Sequence, residues 1–196
     1  MRQVIVIHGG DFFDTPEEFL ESLRAEEISK LDLVPDDEKS WKDNLAEDLG
    51  PDYEVLQPSM PSKDNAKYAE WKAWFEKVVP FMKDDAILVG HSLGGIFLER
   101  YIAENELPVK VGAVFLVAAP YFEKRSPAGF YSVPPGRLAT LERVFIYHSE
   151  DDPVVSFDHA KRYADILPNA SLVIFKDRGH FGQDHLPEIV KDIRSL

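Results

Sequence analysis

Residues 86–95 read Ala-Ile-Leu-Val-Gly-His-Ser-Leu-Gly-Gly, which joins a short apolar run (86–89) to the pattern Gly-x-Ser-x-Gly. A segment with helical spacing follows directly. This order predicts a tight, strained turn between a strand and a helix, with the Ser92 hydroxyl clear of the sheet and beside the positive end of the helix. Gly90 and Gly94 stand where side chains would collide with the neighbouring strand and helix. The pattern therefore predicts a serine nucleophile, and the alternative is a glycine-rich turn that carries an incidental serine.

Short apolar runs recur along the chain, and most are continuous in Val, Ile, Leu and Phe. Continuous runs are expected of strands that are buried on both faces of a parallel sheet. The runs are 3–7, 53–57, 86–89, 111–118, 144–147 and 172–175, and segments with helical spacing are 40–49, 65–79, 93–105, 157–167 and 185–193. This alternation predicts a single α/β domain over residues 1–196, with a six-stranded parallel sheet and helices on both faces.

Two connections between predicted elements are longer than a simple alternation of strands and helices requires. Residues 11–39, which include an acidic helical stretch, separate the first strand from its helix, and residues 119–141 separate the fourth and fifth strands. Long loops in a compact domain are commonly lids or binding loops, and both should leave the carboxyl edge of the sheet, where ligands bind. The second loop contains Phe122, Phe130 and Tyr131, which we predict to line a substrate pocket. Surface elaboration without function is the alternative for both segments.

The composition argues against several classes of partner and cofactor. The 196 residues include 22 Lys and Arg against 35 Asp and Glu, a net charge of −13 at pH 7, so a nucleic acid would be repelled. Cysteine is absent, which excludes disulfides and thiolate metal sites, and no His-Glu-x-x-His spacing suggests zinc. We therefore expect no metal, no cofactor and no nucleic-acid partner.

No apolar run approaches the length of a membrane span. The run that begins at Val4 is too short for the apolar region of a signal peptide. The expectation is a protein without a membrane partner, with the cytoplasm as its default location. The oligomeric state stays open.

A serine hydroxyl is a poor nucleophile at neutral pH and needs a base that is oriented by an acid. In this architecture the acid and the base follow the serine, each on a loop at the carboxyl end of a later strand. His180 follows the run 172–175 and comes directly after Gly179, which allows a sharp turn. His180 is therefore favoured as the base, and His185 is its rival.

The acid lies among Glu150, Asp151 and Asp152, which follow the run 144–147. Adjacent residues in an extended turn point in different directions, so at most one of them can face the histidine. Asp152 precedes Pro153, which disfavours the helical conformation at that position and keeps the loop extended. This favours Asp152 as the acid and Asp151 as a turn residue.

The negatively charged oxygen that develops during acyl transfer needs two backbone donors already in place. The N–H of Leu93, directly after the serine, is expected to be one of them. The other is expected from His8-Gly9-Gly10-Asp11, where glycines let the backbone approach a substrate closely. Gly10 is favoured, and Asp11 is the alternative.

Together these motifs resemble those of the α/β-hydrolase superfamily. The segments concerned are His8-Gly9-Gly10, Gly90-His91-Ser92-Leu93-Gly94, Asp151-Asp152-Pro153-Val154-Val155 and Gly179-His180-Phe181. The small size and the immediate N-terminal strand are similar to the small serine hydrolases related to retinoblastoma-binding protein 9, which lack the first two strands of the larger superfamily fold. The resemblance spans nearly the full chain except residues 11–39, which look like an insertion.

This resemblance implies a three-layer α/β-hydrolase-like fold and a triad of Ser92, Asp152 and His180. The implied function is the hydrolysis of an ester, thioester or amide of a small to medium acyl group, most simply a carboxylic ester. The implied partner is a small-molecule acyl substrate. The rival hypothesis is a binding or interaction protein that keeps the fold and does no chemistry.

Overall fold

Six strands form one parallel sheet in the computed structural model, which describes residues 1–29 and 39–196. The strands are β1 (Arg2–Ile7), β2 (Tyr53–Leu56), β3 (Ala86–His91), β4 (Val111–Val117), β5 (Val144–Ser149) and β6 (Ser171–Phe175). Their order across the sheet is β2-β1-β3-β4-β5-β6, and each neighbouring pair is parallel. The predicted six-stranded parallel sheet is confirmed.

Within the same described ranges the chain forms six α-helices. They are α1 (Pro16–Ala25), α2 (Trp41–Leu49), α3 (Tyr68–Val78), α4 (Leu93–Glu104), α5 (Asp158–Ile166) and α6 (Pro187–Ser195). Short 3₁₀ turns lie at Lys63–Asn65, Val79–Phe81 and Gly136–Thr140. None of the described helices is long and apolar enough to cross a membrane. Part of the predicted insertion 11–39 lies outside the described residues.

An apolar cluster covers each face of the sheet. One cluster contains the buried residues of α3, α4 and α5, and the other contains those of α2 and α6. Neighbouring residues of β3 alternate between them: Leu88 belongs to the first, and Ile87 and Val89 belong to the second. Because both faces are covered, a central strand such as β4 is apolar at every position. The three-layer α/β architecture is confirmed.

Helix α2 begins at a capping box. The N–H of Ser40 donates to the Asp43 carboxylate at 2.9 Å, so these two residues satisfy backbone donors that have no partner inside the helix. The N–H of Trp41, the first residue of the helix, donates to the carbonyl of Gln183 at 2.8 Å. The start of α2 is therefore attached to the loop that follows β6.

The loop 119–141 is attached to α4 through Arg100. The guanidinium lies between the rings of Tyr68 and Tyr131, at 3.9 and 4.0 Å from the two ring centroids. It also donates a hydrogen bond to the carbonyl of Gly129. Each cation–π contact of this kind contributes about 0.5–2 kcal/mol, depending on how far it is desolvated. The middle of the loop is thus held by two contacts to Arg100, at Gly129 and Tyr131, while Tyr68 of α3 packs on the other side of the guanidinium.

Glu99, also on α4, is buried beneath the same loop. Its Oε1 accepts the N–H of Val133 at 3.3 Å, and its Oε2 has no hydrogen-bond partner among the described residues. Burial raises the pKa of Glu99 from an ordinary value of 4.5 to about 8. The folded protein therefore keeps this carboxyl protonated at neutral pH.

We expect this burial to make the folded protein less stable as the pH rises from 4.5 to about 8. Over that range the unfolded chain releases the Glu99 proton while the folded chain keeps it, so the free energy of unfolding falls. Urea unfolding of the wild type and of Glu99→Gln at the two ends of this range measures the effect. The Gln variant should lose less stability across the range, and an equal loss in both proteins would contradict the interpretation.

Candidate active site

The turn between β3 and α4 holds Ser92 in a strained conformation. Its φ is +52° and its ψ is −122°, which is uncommon for a residue with a side chain. The N–H of Ser92 donates to the carbonyl of Val117 at 2.8 Å, which ties the turn to the end of β4. Ser92 is also the residue directly before helix α4, so its side chain lies at the positive end of that helix.

Two glycines make this turn sterically possible. A Cβ on Gly90 would lie 2.5 Å from the carbonyl oxygen of Gly94. A Cβ on Gly94 would collide with the carbonyl oxygens of Ile7 and His8. Because these obstacles are backbone atoms, they cannot rotate away as a side chain could. Because neither glycine has a side chain, α4 packs directly against the end of β1. The loop after β1 therefore also lies close to the serine turn.

The loop after β6 reaches the same turn and carries His180. Gly179 and Phe181 both have positive φ, +52° and +56°, so the chain reverses sharply on either side of the histidine. The carbonyl of His180 accepts a hydrogen bond from Nε2 of His91 at 2.9 Å, and the two imidazole rings are 5.0 Å apart. No hydrogen bond joins the Ser92 hydroxyl to His180 in the described part of the chain.

Asp152 lies against His180 with its side chain 0 % exposed. Its Oδ2 is 2.9 Å from Nδ1 of His180, and its Oδ1 accepts the N–H groups of Val154 and Val155 at 2.8 and 2.9 Å. A buried carboxylate is stable only with such donors. Because a carboxylate accepts, the proton of the histidine contact is on Nδ1, and Nε2 is left with a lone pair.

The other two acids of this loop have different surroundings. Oδ1 of Asp151 accepts hydrogen bonds from the Ser149 hydroxyl at 2.5 Å and from the N–H of Gly179 at 2.9 Å. These two hydrogen bonds lower the pKa of Asp151, and the bond from Ser149 has the larger effect. Asp151 therefore joins the acid loop to the base loop as a turn residue, while Glu150 is exposed.

The other histidines near the site have partners of their own. His185, the rival base, is exposed and pairs with Asp48 at 2.8 Å. His148 is buried, and its Nε2 donates to the carbonyl of Val155 at 2.8 Å, next to Asp152. Burial lowers the pKa of His148. His148 therefore supports the loop that carries Asp152, a role that its position at the end of a strand did not indicate.

His8 shapes the loop after β1. Its Nδ1 donates to the carbonyl of Gly9 at 2.6 Å, and its Nε2 accepts the N–H of Met60 at 2.8 Å. These two contacts require the proton on Nδ1 and the lone pair on Nε2. A Cβ on Gly9 would lie 3.0 Å from Cβ of Ser92, so this loop passes directly beside the serine.

The two candidates for the second backbone donor differ in their partners. The N–H of Asp11 donates to the carbonyl of Lys63 at 2.8 Å and is therefore occupied. The N–H groups of Gly10 and Leu93 have no acceptor among the described residues. Leu93 is the first residue of α4, where a backbone N–H has no partner within its helix.

A cavity of about 540 Å³ opens at the carboxyl edge of the sheet, between the loops after β1 and β4 and the start of α5. Phe12, Phe122 and Phe130 form its apolar wall, with ring centroids of Phe12 at 5.7 and 5.3 Å from the other two. Neither Ser92 nor His180 belongs to its lining.

Tyr131, which was also predicted to line a substrate pocket, is not in the lining of this cavity, and its ring lies over Arg100. Consecutive side chains of an extended segment point to opposite sides. Phe130 therefore points inward, and Tyr131 points towards α4. Phe12, in contrast, was not predicted as a wall residue, although it follows the glycines of the β1 loop closely.

Among the described residues, no three His, Asp or Glu side chains are grouped as metal ligands.

The parallel sheet, with a strained serine between its third strand and the following helix, is the architecture of the α/β-hydrolases. A family model described as "Serine hydrolase" matches residues 34–188. That match covers more than half of the chain, and the chain belongs to this serine hydrolase family.

Individual proteins show the same relationship. The serine hydrolase RBBP9 of Rattus norvegicus is 28% identical over 153 residues, which cover 74% of this chain and 79% of the relative. The structure of the ydeN gene product from B. subtilis has a TM-score of 0.72 at 20% identity, and the match covers 100% of this chain and 98% of that chain. An esterase (EaEST) from Exiguobacterium antarcticum has a TM-score of 0.63 at 14% identity, over 100% of this chain and 91% of that chain. The two structural likenesses support the fold.

Proposed function

We propose that this serine hydrolase cleaves a carboxylic ester, or a related thioester or amide, through an acyl-enzyme intermediate on Ser92. The observation that carries the proposal is the 2.9 Å contact between Nδ1 of His180 and the buried Asp152, on loops that meet beside the strained serine. A histidine oriented by a buried acid next to a partly buried serine is the arrangement that activates a hydroxyl.

The proposed reaction has two halves. Oγ of Ser92 attacks the carbonyl carbon of the substrate, and its proton passes to Nε2 of His180. Asp152 stabilises the imidazolium that forms, through the hydrogen bond at Nδ1. The imidazolium then gives the proton to the leaving group as the tetrahedral intermediate collapses. In the second half water attacks the acyl carbon and gives its proton to His180, the bond from that carbon to Oγ of Ser92 breaks, the imidazolium returns the proton to Oγ, and the acid product leaves.

Backbone donors complete the proposed machinery. The N–H groups of Leu93 and Gly10 donate to the oxyanion of each tetrahedral intermediate. The occupied N–H of Asp11 supports the choice of Gly10 over its neighbour. A Cβ on Gly10 would collide with the carbonyl oxygen of Lys63, so no other residue type fits this position without a shift of the backbone.

A fluorophosphonate probe tests the proposal, since it reacts with activated serines. Labelling that maps to Ser92, together with turnover of p-nitrophenyl esters, supports the enzyme. Folded protein that neither labels nor hydrolyses esters would favour the rival function, a binding protein on the same fold.

We also propose that the loop 119–141 and the described part of 11–39 form the acyl pocket, with the cavity beside Phe122 as its apolar part. Phe122→Ala should raise kcat/KM for longer acyl chains relative to acetate, because each buried methylene contributes about 0.8 kcal/mol. Rates over a series of p-nitrophenyl esters give this ratio.

The matched control is Tyr131→Leu, because Tyr131 is not part of the cavity lining. It should leave the chain-length ratio unchanged and lower the melting temperature, because Arg100 loses one of its two ring contacts. Phe130 is unsuitable for this test, since it is 1% exposed and packs against Trp71, so its loss would destabilise the core. Equal loss of activity of Phe122→Ala across all chain lengths would contradict the pocket assignment.

A further inference from the structure

Two buried side chains form hydrogen bonds to the main chain of the loop after β6, one at His180 and one at Phe181. Nε2 of His91 is 2.9 Å from the carbonyl oxygen of His180. Nε1 of Trp41 donates to the carbonyl oxygen of Phe181 at 2.9 Å. His91 ends β3 and Trp41 begins α2, so the two contacts come from different elements of the fold. Neither contact belongs to the triad or to the two backbone donors.

The chemistry of His91 allows only one arrangement of its proton. A carbonyl oxygen can only accept, so Nε2 carries the hydrogen and donates it to His180. Burial lowers the pKa of His91 well below its ordinary value of 6.5, and the positive charge of Lys42 acts in the same direction. The neutral ring avoids a second positive charge 5.0 Å from the imidazole that accepts the serine proton.

Trp41 is equally constrained. Its side chain is 0% exposed, and its ring meets that of His91 nearly at a right angle, with 6.1 Å between the centroids. The two donors therefore support each other as well as the loop. Phe181, whose carbonyl Trp41 holds, has a φ of +56°, a conformation that persists only when its surroundings enforce it.

We propose that His91 and Trp41 are positioning residues, which fix the backbone of the loop so that the His180 imidazole stays aligned between Ser92 and Asp152. The inference rests on the proposed function, since it assigns the base to His180. Alignment matters because a displacement of about 1 Å in a reacting group can lower the rate on the order of 100-fold. The imidazole is carried by a loop after the edge strand β6, which supplies little rigidity of its own.

The test compares His91→Gln with His91→Met, two side chains of nearly equal size and shape. Gln offers an amide N–H near the position of Nε2, and Met offers no donor. We expect His91→Met to lower kcat about tenfold to 100-fold with KM changed less than about twofold, because substrate binding does not use this contact. The rate constant of fluorophosphonate labelling at Ser92 should fall in parallel. His91→Gln should restore most of both rates.

His185→Met is the matched control, since it removes an exposed histidine near His180 in the chain and should leave kcat unchanged. A purely structural role of His91 predicts a different result: a smaller folded fraction in both variants, with kcat per labelled serine equal to that of the wild type. That result, or a Gln variant no better than Met, would overturn the inference.

If His91→Met does not fold, Trp41→Phe carries the test, because it keeps the aromatic body and removes the donor to Phe181. A kcat per labelled serine about threefold or more below the wild type supports the inference, and an unchanged value overturns it. The proposed function fails separately, since in that case the wild type itself neither labels at Ser92 nor hydrolyses esters.

Discussion

Ser92→Ala is expected to lower kcat for an ester substrate by about 10⁴-fold or more, with little change in the melting temperature. The rate falls because no other group forms the acyl-enzyme, and only the backbone donors and substrate binding remain. Stability is kept because the Ser92 hydroxyl has no hydrogen bond among the described residues, and alanine meets the same backbone strain as serine. Steady-state kinetics and thermal unfolding of the purified variant give both quantities.

Ser156→Ala provides the control for this variant. Ser156 lies on the exposed end of the acid loop, and its hydroxyl accepts the N–H of Asp158 at 3.3 Å. Its loss should leave kcat within about twofold, as is usual for a surface substitution. If Ser92→Ala keeps more than a few per cent of the wild-type rate, Ser92 is not the nucleophile.

Asp152→Asn is expected to lower kcat by about 10⁴-fold while preserving the shape of the site. The two backbone donors at Oδ1, from Val154 and Val155, require an acceptor there, so the amide oxygen takes that position. The amide nitrogen then faces Nδ1 of His180, where the Oδ2 acceptor stood. Two donors cannot bond, so the ring moves its proton to Nε2 and can no longer accept one from Ser92.

Asp151→Asn is the natural comparison, because it makes the same chemical change at the adjacent residue. Its Oδ1 accepts from Ser149 and Gly179, and an amide oxygen can accept both bonds. We expect a modest loss of activity, caused by weaker coupling of the acid loop to the base loop. Measurement of both variants at saturating substrate decides between the two acids. An inactive Asp151→Asn with an active Asp152→Asn would shift the acid by one residue.

The features that could be predicted from the sequence are those that local patterns determine. Apolar runs predict strands that are buried on both faces, and the glycines beside Ser92 predict a turn too crowded for side chains. Pro153 favours Asp152 over its neighbours through the backbone alone. Each of these inferences needs only the residues within a few positions.

The contacts that escaped prediction join distant parts of the chain. The partners His91 and His180 are 89 positions apart, and Trp41 and Phe181 are 140 positions apart. No periodicity or sequence motif indicates such a pair. Tyr131 was predicted to line the pocket because it is aromatic, and the sequence does not show that its ring packs against Arg100.

Strand β6 is bonded on one side only, to β5, and none of its residues is fully buried. Elements with few buried contacts open locally at a lower free energy than the global unfolding of a domain. His180 follows this strand, whereas Ser92 follows β3 near the centre of the sheet. The proposed nucleophile and the proposed base thus belong to regions of unequal local stability, and opening of the β6 edge would separate them while the central strands stay paired. We therefore expect the proposed site to open at a lower free energy than global unfolding, so that the overall melting temperature is a poor measure of its stability.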